Sequence, residues 1–157
     1  MNVRVLAVGR LKENYLVHGV QEYSKRLSRY SRFSVVELKE ESILGPFSPA
    51  KRRLALEREG KRILAQFKPR SFIYALDRRG QEYSSKELAA HFESAALRGI
   101  SQIDFVIGGS LGLAPPVLER AHLSLSFSKL TFPHQLMRLI LVEQIYRVFT
   151  ILNGESY

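Results

Sequence analysis

Apolar and polar residues recur with two different periods along this chain, and the change from one period to the other predicts its secondary structure. Short segments that alternate or are continuously apolar predict strands, at residues 2–8, 34–38, 71–76 and 103–107. Segments with apolar residues three and four apart predict helices between the strands, at residues 15–27, 48–67 and 84–99. This order is typical of an α/β fold in which helices sandwich a mostly parallel sheet.

Two loops interrupt the apolar segments in the last third of the chain. The strand near Asp104 stops at the loop Gly108-Gly-Ser-Leu-Gly, and an alternating segment at residues 123–127 stops at a polar turn. Thr131 is predicted to cap the last helix and Pro133 to begin it, because proline at the first helical position lacks only a donor that would be unpaired anyway. Open α/β sheets bind ligands at the carboxyl ends of their strands, so the two loops are predicted to lie side by side at a ligand site.

The last helix, predicted from Pro133 to about Leu152, is apolar nearly all the way round. A soluble helix of this kind must be buried on more than one side. We therefore predict that one side faces the sheet and that another, including Ile145, faces a second copy in a homodimer. The alternative is a central helix within one monomer. Glu143 and Arg147 interrupt the apolar surface four residues apart, which is also the spacing of an intrahelical salt bridge.

Composition adds a strong positive charge to this picture. The 157 residues, a length that suits one domain (1–157), carry 24 Lys and Arg against 15 Asp and Glu, a formal net charge of +9. The cations are clustered, at Lys25-Arg26, Lys51-Arg52-Arg53, Lys61-Arg62 and Arg78-Arg79. Such a charge is typical of a protein that binds nucleic acid or another polyanion, and the alternative is that it serves solubility alone.

Residue types that are missing or isolated argue against several classes of site. The chain has no cysteine, which excludes disulfides, thiolate metal sites and cysteine nucleophiles and fits a cytoplasmic protein. Its four histidines lack the spacing of metal ligands, so we predict no metal site. No apolar run approaches the ~20 residues that span a bilayer, and the start lacks the pattern of a signal peptide. We therefore predict a soluble protein that is not exported and has no membrane contact.

The glycine loop does not match the common nucleotide-binding motifs. Gly108-Gly-Ser-Leu-Gly is neither Gly-x-Gly-x-x-Gly nor a Walker loop, and it follows the fourth strand, whereas a dinucleotide-binding half has its glycines after the first. The sequence also has no Gly-x-Ser-x-Gly elbow. The pattern alone therefore indicates a basic α/β domain with a ligand loop, and a nucleotide-binding regulator is one alternative.

Four segments of the chain form a recognisable set. They are Ala7-Val-Gly-Arg-Leu-Lys, Phe105-Val-Ile-Gly-Gly-Ser-Leu-Gly-Leu, Leu125-Ser-Phe-Ser-Lys-Leu-Thr-Phe-Pro-His-Gln, and Arg138 through Glu143-Gln-Ile-Tyr-Arg. In this order they resemble the ribosomal RNA large subunit methyltransferase H family. The resemblance implies a homodimeric methyltransferase of the SPOUT superfamily with a trefoil knot, which ordinary topology rules would exclude. It also implies that S-adenosylmethionine is used to methylate N3 of a pseudouridine in 23S ribosomal RNA, within the assembled ribosome.

The resemblance further implies which residues bind the cofactor. They are Leu76, Gly108, Phe127, Ser128, Lys129, Leu130, Thr131 and Phe132. Core packing is the alternative for the apolar residues among them, and a tight turn is the alternative for Gly108. Arg147 is the candidate for a cation that stabilises charge on the target base, and Tyr157 is a second candidate catalytic residue.

The carboxyl-terminal residues typical of the family lead to one more expectation. Its members resemble one another in ending Tyr-His-Lys or Tyr-His-Arg, whereas this chain stops at Tyr157. The alternative function is therefore a non-catalytic protein that binds RNA or the ribosome.

Overall fold

A computed structural model describes residues 1–156. Strands and helices alternate along these residues in the predicted order: β1 (Asn2–Val8), α1 (Asn14–Leu27), β2 (Arg32–Leu38), α2 (Pro49–Leu64), β3 (Ser71–Glu82), α3 (Ser85–Leu97), β4 (Gln102–Ile107), α4 (Pro115–Arg120), β5 (Leu123–Ser126) and α5 (His134–Leu152). Within the same residues, no helix is both long and apolar enough to cross a membrane. Over that range, too, no group of three or more His, Asp or Glu side chains is placed to hold a metal ion.

The five strands of residues 1–156 form one parallel sheet with the order β2-β1-β4-β3-β5. Successive side chains of a strand point to opposite faces, and helices cover both faces. On one face, Val5 and Phe105 belong to a core with buried residues of α1, α3 and α5; on the other, Leu6 and Val106 pack with α2 and α4. The predicted α/β sandwich with a mostly parallel sheet is confirmed, and the trefoil knot stays a prediction.

Two helices that the sequence predicts begin with side-chain caps, which form as hydrogen bonds. At the start of α2, Ser48 Oγ accepts from the backbone N–H of Lys51 at 3.1 Å. At the start of α3, Ser84 Oγ accepts from Glu87 N at 3.2 Å, and the Glu87 carboxylate accepts from Ser84 N at 2.6 Å. These bonds satisfy N–H groups that the first turn of a helix leaves unpaired, so both helices begin where predicted.

Strand β3 is longer than the sequence predicts. The apolar run ends at Leu76, but the strand continues to Glu82, and its register with β5 shifts between Leu76 and Gln81. Gly80 permits this irregularity, because a Cβ there would lie 2.5 Å from the backbone of Ser124. The predicted strand end is therefore a bulge within a longer strand.

The start of α5 also differs from the prediction. Pro133 is the N-cap residue and His134 is the first helical residue, so Pro133 precedes the helix by one position. Thr131 does not cap the helix; its hydroxyl accepts a hydrogen bond from the Arg78 guanidinium at 2.9 Å. Local sequence could not predict this contact, because Arg78 lies on β3, 53 residues away.

Helix α5 packs against α1 and α3, and much of its apolar surface is buried within its own chain. Ile145 is fully buried, and Leu139 lies against Gly19 of α1. The prediction that Ile145 faces a second copy is wrong, because this side of the helix belongs to the core of the chain. Leu136 and Ile140, one turn apart, are only half-buried and belong to neither core cluster.

A buried ion pair joins β1 and β4 in the amino-terminal half of both strands. Arg4 donates to both carboxylate oxygens of Asp104, from Nε at 2.9 Å and from Nη2 at 2.7 Å. Arg4 also donates to the carbonyl oxygen of Gln66 at 2.9 Å, so the pair ties the sheet to the segment that follows α2. The Asp104 side chain is fully buried, and its charge is compensated by this pairing.

Candidate functional site

A cleft of about 820 Å³ lies at the carboxyl ends of the parallel strands β3, β4 and β5. One wall is the loop that follows β4, residues 108–113. The opposite wall comes from the loop between β5 and α5 and from Met137 in the first turn of α5. The two bends marked in the sequence, at Gly108 and before Pro133, therefore meet at one cleft, as predicted.

Most residues that the resemblance assigns to the cofactor line this cleft. They are Leu76, Gly108, Phe127, Ser128, Leu130, Thr131 and Phe132. Lys129 belongs to the same loop, but it is exposed and is not among the lining residues. Apart from Lys129, the predicted set forms one continuous surface.

The loop after β4 is so tight that a side chain does not fit at Gly108. A Cβ on Gly108 would clash with the carbonyl oxygen of Gly112 and would lie 2.6 Å from its carbonyl carbon. Gly112 has a φ of 78°, a left-handed conformation that glycine adopts without strain. Its N–H donates to the carbonyl oxygen of Gly109 at 3.1 Å and closes the turn. At these glycines the main chain itself forms the wall of the cleft.

Apolar side chains form the inner part of the cleft. Ile107 and Leu125, at the ends of their strands, are buried, whereas Leu130 on the rim is 71% exposed. Ser128 Oγ accepts a hydrogen bond from Leu130 N at 2.9 Å and so shapes the loop that carries both residues. An apolar slot edged by backbone N–H and C=O groups suits a flat heterocycle such as adenine.

The rim of the cleft is positively charged. Arg52, Arg78 and Arg79 line it, and Asp77 is the one carboxylate among the lining residues that the structure describes. Asp77 accepts from Arg79 N at 3.0 Å and from Arg79 Nη2 at 3.1 Å. Burial acts to raise the pKa of Asp77, but the hydrogen bonds and charge of Arg79 outweigh it, so the pKa lies below its usual value. Asp77 is therefore ionised, and the rim still carries more positive than negative charge.

Arg147, the candidate for the charge-stabilising cation, does not line the cleft of its own chain. Its Nη2 and Nε donate to Glu143 Oε1 at 2.6 and 3.1 Å, which is the intrahelical salt bridge that the spacing predicts. Arg147 lies on α5 seven residues after Ile140, on the same side of the helix. The second candidate catalytic residue, Tyr157, lies outside the described residues.

Sequence reasoning missed the contributions of α2 and of the β3 bulge to the cleft. It identified Lys51-Arg52-Arg53 and Arg78-Arg79 as clusters of charge without placing them on a common surface. Packing brings Arg52 to the same cleft as Arg78 and Arg79. Gly60 of α2 lies so close to Ala114 that a Cβ on Gly60 would be 2.8 Å from the Ala114 Cβ. The only local signal was the charge itself, because the position of α2 beside the glycine loop depends on contacts that are distant in sequence.

The whole chain matches one protein family and many similar proteins. The family is described as "Predicted SPOUT methyltransferase", and the match covers residues 1–157. The chain is 50% identical over 157 residues to the ribosomal RNA large subunit methyltransferase H of Streptococcus thermophilus (strain CNRZ 1066), covering 100% of this chain and 99% of the relative. It is also 50% identical, with the same coverage, to the protein of that name in Carboxydothermus hydrogenoformans.

Two solved structures share the fold at low sequence identity. A probable methyltransferase from Bordetella pertussis Tohama I aligns with a TM-score of 0.56 and 11% identity, covering 94% of this chain and 96% of that chain. The tRNA (m1G37) methyltransferase from Aquifex aeolicus aligns with a TM-score of 0.52 and 13% identity, covering 95% of this chain and 71% of that chain. At such identities the likeness concerns the fold alone.

The parallel sheet, the glycine-walled cleft at its carboxyl edge and the match over the full chain together define a class, the SPOUT methyltransferases, which use S-adenosylmethionine. Within this class, the chain belongs to the ribosomal RNA large subunit methyltransferase H family. The resemblance that its four sequence segments indicate is thus confirmed.

Proposed function

We propose that the protein transfers a methyl group from S-adenosylmethionine to N3 of a pseudouridine in 23S ribosomal RNA, in the assembled ribosome of the cytoplasm. The observation that carries this proposal is the cleft in which the glycine loop and the loop before α5 meet. The cleft lies at the carboxyl ends of the parallel strands, and open α/β sheets bind their ligands there. The names of the full-length relatives specify large-subunit ribosomal RNA as their substrate, and this agrees with the charge of +9.

The proposed cofactor site has two parts. The main chain at Gly108 lets the donor approach the backbone, and Leu76, Leu130 and Phe132 frame an apolar slot for the adenine. Phe127, Ser128 and Thr131 complete the set along the second loop. Lys129, which is exposed and is not among the lining residues, is the weakest member of the proposed set.

The reaction needs little bond activation from the protein. When bound, S-adenosylmethionine would supply a methyl group that its sulfonium already activates; S-adenosylhomocysteine would be left, and N3 would give up its proton to a base. Holding the methyl carbon and N3 near attack distance is then the main catalytic task. We propose that Arg147 stabilises the negative charge that develops on the oxygens of the target base. Because Arg147 does not line the cleft of its own chain, it would act at the cleft of another copy.

A homodimer would supply such an arrangement. We propose that the stripe formed by Leu136, Ile140, Glu143 and Arg147 contacts a second copy of the chain. The four residues follow one another at intervals of four, three and four, so they lie on one side of α5. Leu136 and Ile140 are apolar, half-buried and outside both core clusters. Apolar side chains that remain partly exposed in one chain are typical of a surface that is buried by a partner.

Replacing Ile140 with lysine tests this interface. The new ammonium group would be solvated in a monomer but desolvated in a dimer, so we expect the dimer to dissociate at a concentration at least about 100-fold higher than for the wild type. Analytical ultracentrifugation measures this constant. Leu97→Lys is the matched control, because Leu97 is 84% exposed on α3 and the same change there should leave association intact. Unchanged association of Ile140→Lys would contradict the proposed interface.

The arginines on the rim support RNA as the substrate. S-adenosylmethionine carries a net positive charge, so three arginines around its cleft do not favour donor binding. Their positions instead suit the phosphates of a polyanion that reaches the same cleft. Arg52 on α2 and Arg78 on β3 flank it from two different elements.

Replacing Arg52 with glutamine separates the two ligands. We expect the slope of log K against log salt concentration for ribosome binding to fall by about one, the effect of losing one phosphate contact, while S-adenosylmethionine affinity is unchanged or rises. Filter binding over a salt series and calorimetry measure the two quantities. Arg53→Gln is the control, because it removes the same charge from the next position of α2, outside the cleft lining. Equal slopes for both variants would argue against a phosphate contact at Arg52.

Methyl-transfer assays decide between the proposed enzyme and a non-catalytic RNA-binding protein. Labelled S-adenosylmethionine is incubated with ribosomes that lack the modification, using the 157-residue chain and a version extended by His-Lys. Label in 23S RNA, mapped by mass spectrometry to N3 of one pseudouridine, is the expected result. Salt-sensitive ribosome binding without cofactor heat or methyl transfer by either version would favour the non-catalytic alternative.

A further inference from the structure

Arg138 is a charged residue buried at the carboxyl ends of β1 and β2, with an exposure of 1%. Its Nη1 donates to the Glu37 carboxylate at 2.7 Å, and its Nη2 donates to the carbonyl oxygens of Gly9 at 2.9 Å and Val8 at 3.3 Å. Its Nε is buried without a hydrogen-bond partner among the described residues. Burying an arginine is costly, and an apolar residue of similar size would stabilise a core at least as well, so stability alone does not account for this residue.

The charged cluster around Arg138 extends to the glycine loop through Glu40. The Glu40 carboxylate lies between two glycines: a Cβ on Gly9 would be 3.2 Å from its Oε2, and a Cβ on Gly109 would be 3.0 Å from its Oε1. Ser110 Oγ also donates to Oε1 at 3.3 Å. Burial lowers the pKa of Arg138, and the charges of Glu37 and Glu40 oppose this lowering, so the guanidinium stays protonated beside both carboxylates.

The opposite wall of the cleft is attached to the same cluster. Arg138 itself lies on α5, which continues directly from the loop that forms this wall. Gln135, one turn earlier, accepts a hydrogen bond from Lys12 N at 3.2 Å, and Leu11 N donates to Glu37 Oε2 at 3.0 Å. The segment after β1 therefore bonds to the start of α5 on one side and packs around Glu40 on the other.

We infer that Arg138 is a positioning residue of the methyl-donor site, which with Glu37 and Glu40 fixes the glycine loop relative to the loop that leads into α5. This inference rests on the proposed function. None of the three residues lines the cleft, so they act through the backbone of the two walls. Methyl transfer depends on the spacing of these walls, because a displacement of about 1 Å between reacting groups can cost on the order of 100-fold in rate.

The test uses Arg138→Met, which keeps the bulk and removes the charge, and Glu37→Gln, which removes the charge from the partner. We expect both variants to bind S-adenosylhomocysteine at least about tenfold more weakly by calorimetry, and to show faster amide hydrogen exchange at residues 109–112 without ligand. Arg138→Lys should restore an intermediate affinity, since an ammonium can still bond to Glu37. If Arg138→Met does not fold, Glu37→Gln supplies the same comparison, because the Glu37 side chain is 41% exposed.

Arg4→Met is the matched control, since it breaks a different arginine–carboxylate pair, between β1 and β4, and neither Arg4 nor Asp104 lines the cleft. It should lower the unfolding temperature but leave the affinity and the exchange of residues 109–112 unchanged. Folded Arg138→Met with wild-type affinity and exchange would overturn the inference, and so would an equal loss in Arg4→Met. If wild-type protein binds neither S-adenosylmethionine nor its product, the proposed function fails, whereas the exchange comparison still decides whether Arg138 fixes the two loops.

Discussion

Replacing Gly108 with valine is expected to abolish binding of S-adenosylmethionine while leaving the chain folded and able to dimerise. A Cβ at this position would meet the backbone of Gly112, and backbone atoms cannot rotate out of the way as a side chain can. Overpacking of this kind costs roughly 1–3 kcal/mol and would displace the loop that forms one wall of the cleft. We expect the affinity to fall by about 100-fold or more, measured by calorimetry.

Two further variants control this experiment. Gly108→Ala adds the clashing Cβ without the branches of valine and should already weaken binding. Gly99→Ala places a side chain at a glycine with a φ of 81° at the end of α3, where no atom lies within 4 Å of the added Cβ. It should cost about 1 kcal/mol of stability through backbone strain and leave cofactor affinity unchanged. If Gly108→Val binds S-adenosylmethionine with wild-type affinity, this loop is not part of the cofactor site.

Placing lysine at Ile145 is expected to unfold the protein rather than to dissociate a dimer. Ile145 is fully buried in the core of its own chain, so the substitution would remove its apolar contacts and bury an ammonium group without a partner. The expected cost exceeds about 4 kcal/mol, a large part of the roughly 5–15 kcal/mol that stabilises a typical domain. Loss of the cooperative thermal transition by circular dichroism is the measurement.

The comparison with Ile140→Lys makes this prediction specific. Both isoleucines lie on α5, but Ile140 is half-buried and outside the core, so its lysine variant should keep the thermal transition and lose only association. A folded Ile145→Lys protein with reduced association would show that this side of α5 faces a partner after all. A folded protein with unchanged association would show that the core tolerates the charge.

Local signals predicted most of the fold because they act over a few residues. The capping box of Ser84 and Glu87 and the cap at Ser48 set the starts of two helices through bonds within one turn. The alternation of Val5 and Leu6 sends adjacent side chains to opposite faces of the sheet, and each face has its own core. The same reasoning failed at Leu76, since the continuation of β3 depends on how closely Gly80 approaches β5.

By itself, the sequence determined the order of strands and helices, the parallel sheet, the two loops of the cleft and the likeness to one methyltransferase family. These properties follow from periodicity, from glycine and from short specific segments, all of which are local. Only the tertiary structure decided that Arg52 and Arg78 share a rim, that Ile145 is fully buried whereas Ile140 is half-buried, and that the Glu40 carboxylate lies against the glycine loop. Each of these depends on contacts between residues far apart in the chain, and their geometry is set by packing that no local pattern contains.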